Sequence, residues 1–273
     1  MTVLAHVRAP ASTANIGPGF DCAAVALDLW NELEVRDGDG ATELDHLGVR
    51  AFARISSVEG RRFAFTDRIP RERGLGSSAA TIALGLVAAT VVEGREAGPE
   101  ELLAEGIELE GHGDNLAAAL AGGVCVTWDS RIARLADHMP AVPIALVPDS
   151  TISTAVSRAA LPASVAHADA TFTAARATLL GAALASGSAE LFGAALDDRL
   201  HEPYRAAGAP LLESVRERLP TGALGVTLSG SGPAVIVWVQ PSAARACADE
   251  LVTRHPDTRV LVLPVSPQGA HAL

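Results

Sequence analysis

Arg73–Thr81, Arg-Gly-Leu-Gly-Ser-Ser-Ala-Ala-Thr, runs directly into the apolar stretch Ile82–Val92. Two glycines in so short a span permit positive φ and remove the Cβ atoms that would stand between backbone amides and a bound anion. The residues that follow, rich in Ala, Leu and Val, predict a helix whose unpaired N–H groups and positive dipole end face the same point. This combination predicts a phosphate-binding loop at a helix N-terminus; taken alone, it is equally a turn with Ser caps ahead of a core helix. All 21 basic residues of the chain are Arg and none is Lys. A Walker A loop and a protein-kinase nucleotide site each need a Lys at the phosphates, so both designs are excluded.

The 273 residues suffice for one large domain or two ordinary ones. A hydrophobic content of 49% and a mean hydropathy of +0.27 fit a compact core, but much of the apolarity is Ala and no stretch reaches membrane-span length. Nucleic acid is disfavoured as a partner, because only 4% of residues are aromatic and the formal charge is −11. Cys22, Cys125 and Cys247 are scattered, without a disulfide or zinc pattern, and fit a reducing cytoplasm. No secretory leader is evident.

Outward from the loop, Val3–Ala9 and Trp30–Arg36 are expected as strands, with Asp37–Thr42 as a polar turn between Arg36 and a short helix in His46–Ile55. Ala11–Asp21 is expected as a loop that can place Asn15 and Asp21 in a pocket, or as a simple strand connection with an Asx turn. Phe63–Ile69 supplies a strand before the glycine loop, and Pro99–Glu110 a helix with Pro in its first turn. Gly111–Asn115 packs His112, Asp114 and Asn115 into five residues ahead of an Ala/Leu run, where Asp114 or Asn115 can serve as a cap. Val124–Trp128 and Ile144–Pro148 read as strands, with Pro140 and Pro143 marking a boundary between domains 1–142 and 143–273. Helices are expected over Ala166–Gly187, Leu191–Leu200, Leu211–Leu219 and Ser242–His255. Gly225–Val239 reads as two strands around a second Gly/Ser loop, and Arg259–Val265 as a closing strand.

Three of these stretches, Pro10–Asp21, Gly74–Thr81 and Leu228–Pro233, resemble in order the three motifs of the GHMP kinases. Four finer ones resemble the homoserine kinase family within that group: Ser12–Asp21, Glu110–Asn115, Ser153–Pro162 with Thr154 and Arg158, and His201–Arg205. The resemblance spans nearly the whole chain. It implies an α+β, two-domain GHMP kinase fold, the N-terminal domain like ribosomal protein S5 domain 2 and the C-terminal domain ferredoxin-like, with the active site between them. It also implies ATP-dependent phosphorylation of homoserine on the threonine biosynthetic route, Mg²⁺ as cofactor and a homodimer. Within the same resemblance the alternatives are a kinase of another small alcohol, such as threonine or mevalonate, and a non-catalytic nucleotide sensor. The lack of Lys counts against mevalonate.

Carried over residue by residue, the resemblance puts Arg73, Gly74, Leu75, Gly76, Ser77, Ser78, Ala79, Ala80 and Thr81 around the nucleotide phosphates. Ser78 and Glu108 are assigned to the metal, with Glu110 close enough to be confused with Glu108. The resemblance makes Asn15, Asp21, His112, Arg158 and Arg205 the substrate set; from their chemistry, Asp21 is expected to meet the ammonium, the arginines the carboxylate, and Asn15, His112 and Asn115 to orient the hydroxyl. An ordinary Asp is too acidic to deprotonate an alcohol early, so direct in-line transfer is expected, with Asp114 as a cap rather than a base. His46 stands where many relatives carry Asn, near the expected adenine.

Overall fold

A computed structural model of the chain describes residues 2–38 and 44–273, so most of the expected turn at Asp37–Thr42 lies outside the described residues. The first strand, β1 (Val3–Asn15), continues through Pro10 and returns by a tight turn into the long β2 (Gly19–Asp37). The stretch expected as a loop is therefore mostly paired strand: Ser12 lies opposite Ala26, Thr13 opposite Val25 and Ala14 opposite Ala24. Alternation fails to reveal it because Ala9, Ala11, Ser12, Thr13 and Ala14 are buried on both faces, and small residues carry no polarity contrast.

β2 pairs with β3 (Arg61–Thr66) along its second half and with β4 (Val124–Trp128) along its first, and β4 pairs with β5 (Arg131–Ala136). All of these pairings are antiparallel. Packed on this sheet are α1 (Leu47–Phe52), α2 (Ser77–Val92), α3 (Pro99–Glu110) and α4 (Asp114–Ala121). α2 is buried on almost every side, from Ser77 and Ala79 through Ile82, Leu84 and Leu86 to Thr90. A helix apolar all round belongs at the centre of a domain, and its rigidity fixes the glycine loop at its N-terminal end.

The second sheet has the order β7–β8–β6–β9, from β6 (Val142–Pro148), β7 (Ala223–Leu228), β8 (Val235–Val239) and β9 (Thr258–Val262). Helical segments α5 (Thr154–Ala159), α6 (His167–Ser186), α7 (Ala189–Ala195), α8 (Glu202–Arg205) and α9 (Pro210–Glu217) lie between β6 and β7, and α10 (Ala244–Arg254) follows β8. The last two-residue strand, β10 (His271–Ala272), crosses back to pair with β1 in the first sheet. Among the described residues no helix is long and apolar enough to cross a membrane.

Candidate active site

A cleft of about 240 Å³ opens where the two sheets meet, lined by Asn15, Asp21, Arg73, Gly74, Gly76, Ser77, Ser78, Glu110, His112, Asp114, Asn115, Thr154, Arg158, Arg205 and Gly230, among others. Backbone bonds seat the glycine loop between the other two motifs: Ser12 N–H donates to Leu75 O (3.2 Å), and Ala234 N–H to Arg73 O (3.3 Å). Gly74 and Gly76 lie in the left-handed region, at φ 79° and 66°. A Cβ on Gly74 would stand 2.1 Å from Ser229 O, and one on Gly76 would stand 2.0 Å from Ser12 Oγ. The glycines thus admit the neighbouring motifs as well as an anion.

At the loop end of the cleft, α2 starts after Gly76 with no side-chain cap, its first helical bond running from Ala80 N–H to Gly76 O (2.9 Å). The preceding N–H groups lack helical acceptors and, with the dipole, make an anion seat. Ser78 Oγ donates to Glu110 Oε2 (2.6 Å). Desolvation raises the Glu110 carboxyl above its ordinary value, against the opposing pull of the Ser78 hydrogen bond. A second cavity of about 360 Å³ shares Glu72, Ser77 and Ser78 with the first and extends to Asp45, His46, Arg71 and Thr81. His46 caps α1 by accepting from Gly48 N–H, and its ring packs on Phe65 with centroids 4.0 Å apart.

The opposite end is built from charged side chains. Asp21 and Arg158 form a bidentate pair of 2.7 and 3.0 Å. Arg205, only 4% exposed, has no ion-pair partner among the described residues. Its Nη1 donates to Gly230 O (3.2 Å) and to His201 Nδ1 (3.3 Å), while its Nε is buried without an acceptor. Burial pulls this guanidinium below its ordinary pKa. Asn15 Oδ1 accepts from Asp21 N–H (3.0 Å) and its Nδ2 donates to Gly230 O (2.9 Å), which ties the first motif to the third. Asn15, Ile16 and Asp21 all have positive φ without being glycine, a strain that such hydrogen bonds hold in place.

Between the two ends lie His112 and Asn115. His112 Nδ1 meets Asp114 Oδ1 at 3.1 Å, and this hydrogen bond, more than any other influence, raises the imidazole pKa. Asn115 Oδ1 accepts from the buried Ser12 hydroxyl at 2.8 Å, an arrangement that fixes which face of the amide the cleft meets. The N-cap of α4 is Gly113; Asp114, one residue later, accepts the Asn115 N–H (2.6 Å) as well as the His112 contact.

Residues 44–123 match the family description GHMP kinases N terminal domain, and residues 180–257 match GHMP kinases C terminal. A homoserine kinase of Gloeobacter violaceus is 36% identical over 96% of this chain and 97% of its own length. One from Clavibacter michiganensis is 38% identical over 97% and 92%. The chain belongs to the homoserine kinase family of the GHMP kinases. The crystal structure of a homoserine kinase from Cytophaga hutchinsonii superposes with a TM-score of 0.87 at 26% identity, covering 98% of this chain and 97% of that one. A mevalonate kinase structure, at 14% identity and TM-score 0.71, shares the fold. Family membership makes the chain an ATP-using kinase of two-domain GHMP architecture.

Within the homoserine kinase framework, the cleft gathers Asn15, Asp21, His112, Asn115, Arg158 and Arg205 with Gly74, Gly76, Ser77 and Ser78. Thr81 lines the adjoining cavity, with its hydroxyl donated to Ser77 O. The remaining expected positions sit differently. Glu108 lies outside the cleft, its side chain 68% exposed and paired with Arg54 at 3.0 Å. Residues two apart point to different sides of a helix, so Glu108 and Glu110 cannot both face the cleft. Leu75, Ala79 and Ala80 are fully buried in the core, which leaves only their backbone for a ligand. Arg73 borders the cleft, yet its guanidinium donates to Arg71 O, Pro148 O and Asp149 O, bracing the loop against the second sheet. Ser12, which orients Asn115, and Phe20, whose ring lies 5.1 Å from the Arg205 guanidinium and 6.0 Å from that of Arg158, also belong to the site, although their residue types alone do not mark them.

Proposed function

We propose that the chain transfers the γ-phosphoryl group of ATP to the side-chain hydroxyl of L-homoserine, giving O-phospho-L-homoserine on the route to threonine. The observation that carries this reading is Arg205, a buried guanidinium without a carboxylate, beside the Asp21–Arg158 pair. A buried cation left uncompensated is costly, and the cleft it faces is the place from which an anion can reach it. An α-amino acid supplies both complements: its carboxylate meets Arg205 and Arg158, and its ammonium takes Asp21 from Arg158.

With the α-carbon held there, the side-chain hydroxyl extends towards His112 and Asn115, and the phosphates occupy Gly74–Ser78 and the start of α2. The pairing of Glu110 with Ser78 fits Mg²⁺, which takes one or two protein oxygens and completes its shell from phosphates and water; we assign the metal to this pair in place of Glu108. Bound there, the ion would neutralise charge on the β- and γ-phosphates. Asp114 is already engaged by His112 and Asn115 N–H, which supports a structural role rather than that of a base. Transfer is then in-line, through a loose transition state in which alignment and charge stabilisation dominate, and the hydroxyl proton leaves late to the phosphoryl oxygens.

Further parts of this reading are lobes spanning 1–142 and 143–273, a homodimer as the common symmetric state, and a cytoplasmic location in keeping with three free cysteines. The test is to incubate the protein with Mg-ATP and, separately, L-homoserine, L-threonine, L-serine and mevalonate, measuring ADP and the phosphorylated product. Selective O-phosphohomoserine is expected; preferential turnover of another alcohol overturns the acceptor assignment.

A further inference from the structure

The acceptor end contains a histidine with no part in the reaction just described. His201 is fully buried, and its Nε2 lies 2.8 Å from Gly17 O. A carbonyl only accepts, so the proton sits on Nε2 and Nδ1 presents a lone pair. That lone pair receives Arg205 Nη1 at 3.3 Å. The ring stacks on Phe20 with centroids 4.8 Å apart and planes inclined by 17°, and Arg205 lies over the same Phe20. The backbone beneath is clamped too: Asp198 Oδ2 accepts from His201 N–H (2.7 Å) and Glu202 N–H (2.9 Å). Desolvation holds the imidazole pKa well below its ordinary value, in keeping with a neutral ring facing a guanidinium.

Arg205 sits on a four-residue helix, lies over Phe20, and among the described residues makes its other side-chain hydrogen bond to a single carbonyl, that of Gly230. A long side chain with so few fixed partners loses much rotamer entropy on meeting a ligand unless something else orders it first. We propose that His201 is the positioning residue for the substrate carboxylate: anchored to the Gly17 turn through Nε2, it aims Arg205 into the cleft through Nδ1. This rests on the assignment of the Arg205 end to the amino-acid substrate. The device links the first motif to the fourth substrate segment across 184 residues of sequence, without His201 itself touching substrate.

Two substitutions separate its two hydrogen bonds. His201→Asn keeps a polar acceptor where Nδ1 stood and loses the bond to Gly17; His201→Gln keeps a donor near Gly17 O and loses the acceptor for Arg205. With wild-type turnover of homoserine as the control for the assignment itself, His201→Gln is expected to raise the homoserine KM by about ten-fold, the size of one hydrogen bond to a charged group, with the ATP KM within about two-fold. His201→Asn is expected to stay within about three-fold on both. In an Arg205→Ala background, His201→Gln should add almost nothing, since the two residues act as a unit. Equal losses from Asn and Gln, a parallel rise in both KM values, or multiplicative effects in the double variant would overturn the proposal. Should His201→Gln fail to fold, ¹⁵N-histidine NMR of the wild-type protein decides instead, the His201 signal being identified by its disappearance in His201→Asn. An Nε2-protonated tautomer is expected, and an Nδ1-protonated ring would overturn the proposal.

Discussion

The two ends of the cleft solve the problem of holding charge in opposite ways. At the nucleotide end the groups facing a ligand are mostly backbone: two left-handed glycines, the open start of α2, and one Ser–Glu contact, within a loop contiguous in sequence. At the acceptor end they are side chains brought from residues 15–21, 112–115, 158 and 201–205, with a buried Arg, a bidentate ion pair and strained non-glycine residues. Backbone recognition of this kind tolerates many side chains, because the contacting groups are common to every residue. A charged side-chain clamp is tied to one acceptor chemistry. On the proposed reading the acceptor is selected at the second end, and substitutions at the two ends should therefore have different signatures.

The largest effect is expected from Arg205→Ala, which removes the buried cation: steady-state kinetics should show the homoserine KM rising by about 100-fold or more, with the ATP KM little changed. Equal rises would erase the distinction between the ends. Next, Glu110→Gln should lower kcat by about 100-fold and raise the Mg²⁺ concentration needed for half-maximal rate, while Glu108→Gln stays within about two-fold; a reversed order would return the metal to Glu108. A smaller effect is expected for Gly76→Ala, whose left-handed φ of 66° and close approach to Ser12 Oγ predict a loss of about 1–3 kcal/mol in denaturant unfolding. An unchanged midpoint would mean that the loop does not need its seat between the other motifs.

The smallest effect concerns pH. The Asp114 contact raises the pKa of His112 in the folded protein, so the stability it contributes is fully present below the unfolded imidazole value of about 6.5 and fades as pH rises through the raised folded value. The difference in Tm between wild type and Asp114→Asn should therefore be wider at mildly acidic than at alkaline pH. A gap that widened with rising pH would contradict the pairing.

How much of this was legible in the sequence follows the same division. The glycine loop, the buried α2 behind it and the second Gly/Ser loop between β7 and β8 are local, and local signals read well. The choice between Glu108 and Glu110 was legible in principle from helix phase: Glu110 shares a face with buried Leu103 and Gly106, whereas Glu108 follows exposed Glu101 and Ala104. β5 is a half-exposed edge strand of mixed Arg and apolar residues, and the two residues of β10 carry no periodicity at all; both are specified by their partners. The burial of Arg205 and its dependence on His201, Gly230 and Phe20 is a property of tertiary packing, so sequence marked the residue without disclosing its state.

The most direct test compares L-homoserine with 4-hydroxybutyrate, which lacks the ammonium, and 3-aminopropan-1-ol, which lacks the carboxylate, under Mg-ATP. If Asp21, Arg158 and Arg205 clamp a zwitterion, kcat/KM should fall by about 100-fold or more for each analogue, because each leaves a charge of the clamp without its partner. Turnover of either analogue within a few-fold of homoserine would contradict the account.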